Sequence, residues 1–168
     1  MIESNIPPFL KNVSCAVTGH RILGKDFDKD ILIRDLGYVR SKGFNVFLCG
    51  MALGFDAECF RALEEMRKND PEIKIAAVVP CADQEERFPE KDAEEHGRMI
   101  LSADFVARET RDYFRGCMLK RNDFLVDNCS VLYAYYLGRK KSGTYYTMKK
   151  AERDKVETLF YGISVSAR

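Results

Sequence analysis

Val131-Leu132-Tyr133-Ala134-Tyr135-Tyr136 decides how this chain reads. The run is apolar and aromatic and carries no charge, as a strand covered on both faces of a parallel sheet should. It passes through Leu137-Gly138-Arg139-Lys140-Lys141 into Ser142-Gly143-Thr144, then a segment of helical period to Arg153, then a second strand from Glu157 to Tyr161. That is one strand–helix–strand unit, and the same unit recurs toward the N-terminus. Strands are expected over Val13 to Thr18, Asn45 to Cys49, Lys74 to Val79 and Phe105 to Arg108. Helices are expected over Asp28 to Lys42, Asp56 to Lys68, Glu90 to Leu101, Cys117 to Asn128 and Thr144 to Arg153. The alternation predicts right-handed crossovers in an open, doubly wound, mostly parallel sheet with helices on both faces.

The chain's 168 residues suit a single domain, with its core over about residues 13–161. Hydrophobic residues at 46% and charged residues at 32% exclude collagen-like and disordered classes. With 27 basic and 26 acidic residues the net charge is +1, so a nucleic-acid partner, although possible, is disfavoured and would need a local patch. Arg139 to Lys155 is such a basic stretch, and Asp83 to Glu95 is its acidic counterpart. No leader-like segment opens the chain, and the longest apolar runs are too short to span a bilayer, so a cytoplasmic protein with no membrane partner is expected. Cys15, Cys49, Cys59, Cys81, Cys117 and Cys129 show no CxxC spacing; buried free thiols are expected, with no metal and no cofactor.

In doubly wound sheets ligands bind beyond the carboxyl ends of the strands, so the chemistry is sought there. The first strand ends in Thr18-Gly19-His20-Arg21, where glycine permits close approach to an anion and His20 and Arg21 can donate to it, the alternative being a tight turn with a capping histidine and a solvated arginine. The second ends in Cys49-Gly50-Met51-Ala52-Leu53-Gly54-Phe55-Asp56, which is neither GxGxxG nor a P-loop. Its glycines can still cradle phosphate, while Asp56 either caps the helix or accepts from a ribose. The third ends in Val79-Pro80-Cys81, followed by Gln84-Glu85-Glu86, which reads chiefly as a solvated acidic face. Arg121 and Asn122 can hold phosphate and a sugar or base, with Tyr113 available for stacking; surface salt bridging is the alternative. Ser142-Gly143-Thr144, at a helix start, presents unpaired N–H groups and a hydroxyl to an anion, an ordinary N-cap being the alternative.

Together these motifs resemble the SLOG superfamily of Rossmann-like proteins, which joins DprA to the cytokinin-activating LOG enzymes. The TGHR start, the GMALGFD turn, the VPC strand end and the GCMLKRNDFLVD helix are similar to its YpsA/YoqJ-like branch of bacterial and phage proteins. The resemblance runs from about Val13 to Tyr161 and implies a single-domain Rossmann-like fold. The CGMALGFD segment resembles a DprA turn, and Ser142-Gly143-Thr144 with Thr147 and Ala151 resembles a later DprA helix, which brings single-stranded nucleic acid into view. Against LOG enzymes, Met118 and Arg121 fall on MxxRK and Gly143-Thr144 on the end of PGGxGTxxE. Lys140-Lys141 stand in place of glycines, however, and Thr147 stands in place of the catalytic glutamate. That loss argues against an active phosphoribohydrolase, since the carboxylate stabilises oxocarbenium-like charge.

The expectation is a binding module, a sensor or regulator, for a nucleotide-derived phosphorylated small molecule. Its pocket would use Thr18, Gly19, His20, Arg21, Gly50, Gly54, Asp56, Arg121, Asn122, Ser142, Gly143 and Thr144. The alternatives are hydrolysis of a nucleotide N-glycosidic or phosphate bond, with Asp56 as catalytic candidate, and DprA-like nucleic-acid binding. Self-association into a homo-oligomer is possible.

Overall fold

Neighbouring residues of the central strands point to opposite sides of a sheet, and both sides of this one are dry. In the computed structural model, which describes residues 1–163, the strands are β1 (Ile2–Ser4), β2 (Ser14–Gly19), β3 (Val46–Cys49), β4 (Lys74–Val79), β5 (Phe105–Glu109), β6 (Val131–Tyr135) and β7 (Glu157–Phe160). The helices are α1 (Lys29–Ser41), α2 (Phe55–Arg67), α3 (Glu90–Ser102), α4 (Cys117–Asp127) and α5 (Gly143–Arg153), with 3-10 turns at Pro8–Val13 and Gln84–Arg87. Cys15, Val17, Phe47, Ile75 and Tyr133 face one core, which Leu32 and Leu36 of α1, Phe60 and Leu63 of α2 and Met99 of α3 complete. Ala16, Leu48, Ala76 and Leu132 face the other, closed by Leu125 and Val126 of α4 and Ala151 of α5. Period-two alternation that is apolar on both faces is what makes the strand runs charge-free.

The sheet order is β1-β5-β4-β3-β2-β6-β7. Every pairing is parallel except that of β1 with β5. From β2 the chain winds outward through β3 and β4 to β5, then returns across the sheet to β6 and winds the other way to β7. The neighbours β2 and β6 therefore flank the switch point, where the helices that follow diverge and leave a crevice.

The α/β, mostly parallel, doubly wound class and all six expected strands are present, with ends shifted by a residue: Val13 lies in a 3-10 turn, and Tyr136 lies beyond β6. The antiparallel edge strand β1 was not foreseen, nor were the 3-10 turns. Of the expected domain range, residues 164–168 lie outside the described residues. All six cysteines are free and buried. Among the described residues no helix is long and apolar enough to cross a membrane.

Candidate functional site

A pocket of about 360 Å³ opens at the switch point, within the size range of small-molecule sites. Thr18, Gly19, His20 and Arg21 line it from the end of β2, Asp56 from α2, Arg121 and Asn122 from α4, and Ser142, Gly143 and Thr144 from the start of α5. Ten of the twelve expected site residues thus share one cavity. Gly50 and Gly54 do not line it.

The glycines explain how the wall is built. A Cβ on Gly50 would stand 2.7 Å from Arg121 Nη1 and 2.9 Å from Asp56 Oδ2, so the bare backbone there makes room for both charged groups. Gly54 has φ 81, and a side chain on it would overlap the Arg21 carbonyl. A Cβ on Gly19 would overlap the Phe55 ring. These contacts seat the 50–54 turn and the start of α2 against the end of β2, helped by Phe55 N–H donating to the His20 carbonyl at 3.1 Å. At Gly50 and Gly54 the room left by the missing Cβ is occupied by Arg121, Asp56 and the Arg21 backbone.

Arg121 and Asp56 are both buried. Arg121 Nε donates to Asn122 Oδ1 at 2.7 Å and Nη1 donates to the Gly50 carbonyl, while no described residue accepts from Nη2. Burial pulls the Arg121 pKa down, with the Asp56 charge opposing. Asp56 Oδ2 accepts from Ala52 N–H at 3.2 Å, so the carboxylate closes its own turn and is not the helix cap, which falls at Gly54. Burial raises the Asp56 pKa to about 6, against the pull of Arg121, the Ala52 N–H and Arg21. An acid poised there can accept from a hydroxyl or exchange a proton near neutral pH.

His20 takes a different part from the donor that was expected. Its Nε2 accepts from Leu137 N–H at 3.0 Å, and burial with nearby Arg139 lowers its pKa. The neutral ring ties the loop after β6 to the end of β2. Ser142 caps α5, with Oγ accepting from Tyr145 N–H at 3.1 Å and donating to the Arg139 carbonyl at 2.6 Å. The N–H groups of Gly143 and Thr144, in the first turn, have no acceptor within the helix, and both residues line the pocket. Asn122 Nδ2 reaches the Gly143 carbonyl at 3.5 Å, linking α4 to α5.

Tyr113 lies away from the pocket, its ring under the Arg87 guanidinium at 4.1 Å, so the stacking role expected of it is not available. Thr147, at the position of the LOG glutamate, is fully buried and donates to the Gly143 carbonyl at 2.8 Å. Within the basic stretch, Lys150 pairs with Asp127 and Asp154 and Lys149 with Glu152, while Arg139, Lys140 and Lys141 stay exposed. Sequence reasoning missed Ala52 and the Gln84 side chain, which donates to the Met51 carbonyl at 3.0 Å and so holds the same turn from behind.

The strand order and a polar crevice at its reversal define a Rossmann-like α/β protein. The sequence profile of YpsA, the YspA SLOG family, matches residues 25–165, and the chain belongs to that family. A UPF0398 protein of Bacillus pumilus (strain SAFR-032) is 28% identical over 153 residues, covering 82% of this chain and 80% of that protein. The UPF0398 protein YpsA of Bacillus subtilis (strain 168) is 25% identical over 114 residues, or 67% of this chain and 63% of that one. DNA processing protein A from Helicobacter pylori, known for a single-stranded DNA binding mode, superposes with a TM-score of 0.68 at 16% identity, over 95% of this chain and 70% of that one. DprA of Streptococcus pneumoniae gives 0.67 at 19% identity, over 90% of this chain and 50% of that one. At such identities these two structures share the fold.

Proposed function

We propose that the chain binds a nucleotide-derived, phosphorylated small molecule in the switch-point pocket, as a sensor or regulator. One observation carries the reading: a buried arginine with Nη2 unengaged, a buried carboxylate and the open first turn of α5 converge on one cavity. The cation and the helix N-terminus suit a phosphate, and Asp56 suits a ribose hydroxyl. Calorimetry with adenosine 5′-monophosphate against adenosine tests it: the monophosphate binds at least about tenfold tighter, and equal affinities overturn the reading. In Arg121→Ala the preference for the monophosphate falls by about 1–3 kcal/mol, the worth of a charge-assisted bond. Release of free base or phosphate during the titration would instead favour hydrolysis, with Asp56 as general base.

A second reading, single-stranded nucleic-acid binding, is favoured by the exposed Arg139-Lys140-Lys141 loop leading into the pocket and by the single-stranded DNA binding of the Helicobacter pylori relative. It predicts oligonucleotide affinity that falls steeply with salt.

A further inference from the structure

The Met51–Ala52 peptide is gripped at both ends. Its N–H, on Ala52, donates to Asp56 Oδ2 at 3.2 Å, and its carbonyl, on Met51, accepts from Gln84 Nε2 at 3.0 Å. Met51 has φ 62, a left-handed conformation that a residue with a side chain keeps only where its surroundings hold it. Gln84 is buried, and its Oε1 lies 2.8 Å from Nε2 of His96 on α3. Since the Gln84 amide nitrogen is committed to a carbonyl, Oε1 is the acceptor and His96 Nε2 carries the hydrogen. The neutral ring then has a bare lone pair at Nδ1. That atom is buried without a hydrogen-bond partner among the described residues, 3.4 Å from Glu85 Oε2. A lone pair against a carboxylate repels it; one proton taken from solvent onto Nδ1 turns the contact into a charge-assisted bond.

We propose that His96 is a proton-operated latch on the pocket, acting through Gln84 on the Met51–Ala52 peptide and so on Asp56. With His96 protonated, Gln84 and Glu85 are both bonded to the ring, and the 3-10 turn that carries them is fixed. With His96 neutral, Glu85 turns to solvent, its side chain being half exposed already, and the grip on the peptide slackens. The groups that face the ring are Glu85 from that turn and Arg108 from β5, around a cavity of about 60 Å³, with Phe88 packed edge-on at 5.3 Å. Burial pulls the His96 pKa below its ordinary value, Glu85 pulls it up and Arg108 lowers it further, so the latch closes on the acid side of neutrality. As regulation of a ligand site the proposal rests on the pocket reading above; the latch itself is measurable without ligand.

The test is amide hydrogen exchange at Ala52 by NMR in the unliganded full chain, at about pH 5 and about pH 7.5, corrected for intrinsic rates. The parent protein is compared with Glu85→Gln, which removes the carboxylate facing Nδ1, and with His96→Gln. Asp56 titrates in all three proteins, so its contribution cancels in the comparison. The ratio of Ala52 protection at the lower pH to that at the higher is expected to be about tenfold greater in the parent than in either variant, equivalent to one pKa unit between open and closed states. Equal ratios in the parent and Glu85→Gln overturn the latch. Glu85 is exposed enough for that variant to fold, so it decides the matter even if His96→Gln does not fold. Because no nucleotide is present, a failed latch leaves the binding reading standing, and a failed monophosphate titration leaves the latch standing.

Discussion

Asp35 and Asp56 sit on adjacent helices over the same face of the sheet, both out of water, and they are held in opposite ways. Asp35 Oδ2 accepts from Tyr133 OH at 2.6 Å and from Gly162 N–H at 2.6 Å, tying α1 to the middle of β6 and to the chain after β7. Tyr133 belongs to the core, and Asp35 is not among the residues that line the switch-point pocket. Asp56 has one long backbone bond and a guanidinium nearby, lies on a cavity wall, and keeps its proton to about pH 6. A buried carboxylate saturated by short bonds is a structural clasp; one left under-bonded beside a cavity is a poised functional group.

The largest effect that can break this contrast is expected at Asp35. Asp35→Ala strands the buried Tyr133 hydroxyl and removes the acceptor of the half-buried Gly162 N–H, which costs about 2–4 kcal/mol. Thermal melting should fall by about 5–15 °C for a chain of this size. Affinity for adenosine monophosphate in the folded fraction should not change. A melting temperature within a degree of the parent would show that Asp35 is no clasp.

Asp35 was not legible in the sequence as a buried group, although a signal exists: it lies inside the apolar stripe Leu32, Leu36 and Val39 of α1, three residues after the first. His96 has the same signature beside Met99 in α3. The fold was readable because β2, β4 and β6 are apolar on both faces, a pattern that survives without knowledge of partners. β1 was not, because three residues with a charge in the middle carry no period; it is fixed by β5, with Asn5 Oδ1 accepting from Val106 N–H at 2.8 Å. At the site, position on the strand ends was readable and roles were not. Glycine signals close approach without saying to what: on the Cβ side of Gly54 and Gly19 what approaches is Arg21 and Phe55, although Gly19 also lines the pocket. His20 looked like a cation because the Leu137 N–H that occupies its Nε2 lies 117 residues away.

A middle-sized effect sharpens the contrast from the ligand side. Gly143 lines the pocket, and a Cβ there would stand 3.3 Å from Asn122 Nδ2 with no other heavy atom close. Gly143→Val therefore costs about 1–2 kcal/mol of stability while filling the space in front of the α5 N-terminus. Titration and melting on one preparation should show lost monophosphate affinity in a folded protein. Retained affinity would move the phosphate away from this turn.

The smallest change in stability, and the one of opposite sign, belongs to Asp56→Asn. The native carboxyl titrates at about 6 against an ordinary 3.8, so the folded chain holds this proton more tightly than the unfolded chain. The stability that this proton confers is fully present below about pH 3.8 and is lost as pH rises through about 6. Asparagine keeps the volume and an oxygen for the Ala52 N–H but has no charge to bury, so it escapes that loss. The displacement of about two pKa units, in which the attraction of Arg121 is already included, sets a ceiling near 3 kcal/mol, and part is offset because the amide, unlike the protonated carboxyl, brings a polar NH2 group into the interior. Above about pH 7 the variant should melt about 2–4 °C higher than the parent, the difference shrinking to nothing toward pH 4 while monophosphate binding weakens. Stability gained together with affinity lost is the mark of a group kept for its chemistry. A fall at pH 8 as large as that of Asp35→Ala would make Asp56 a second clasp and erase the distinction between the two aspartates.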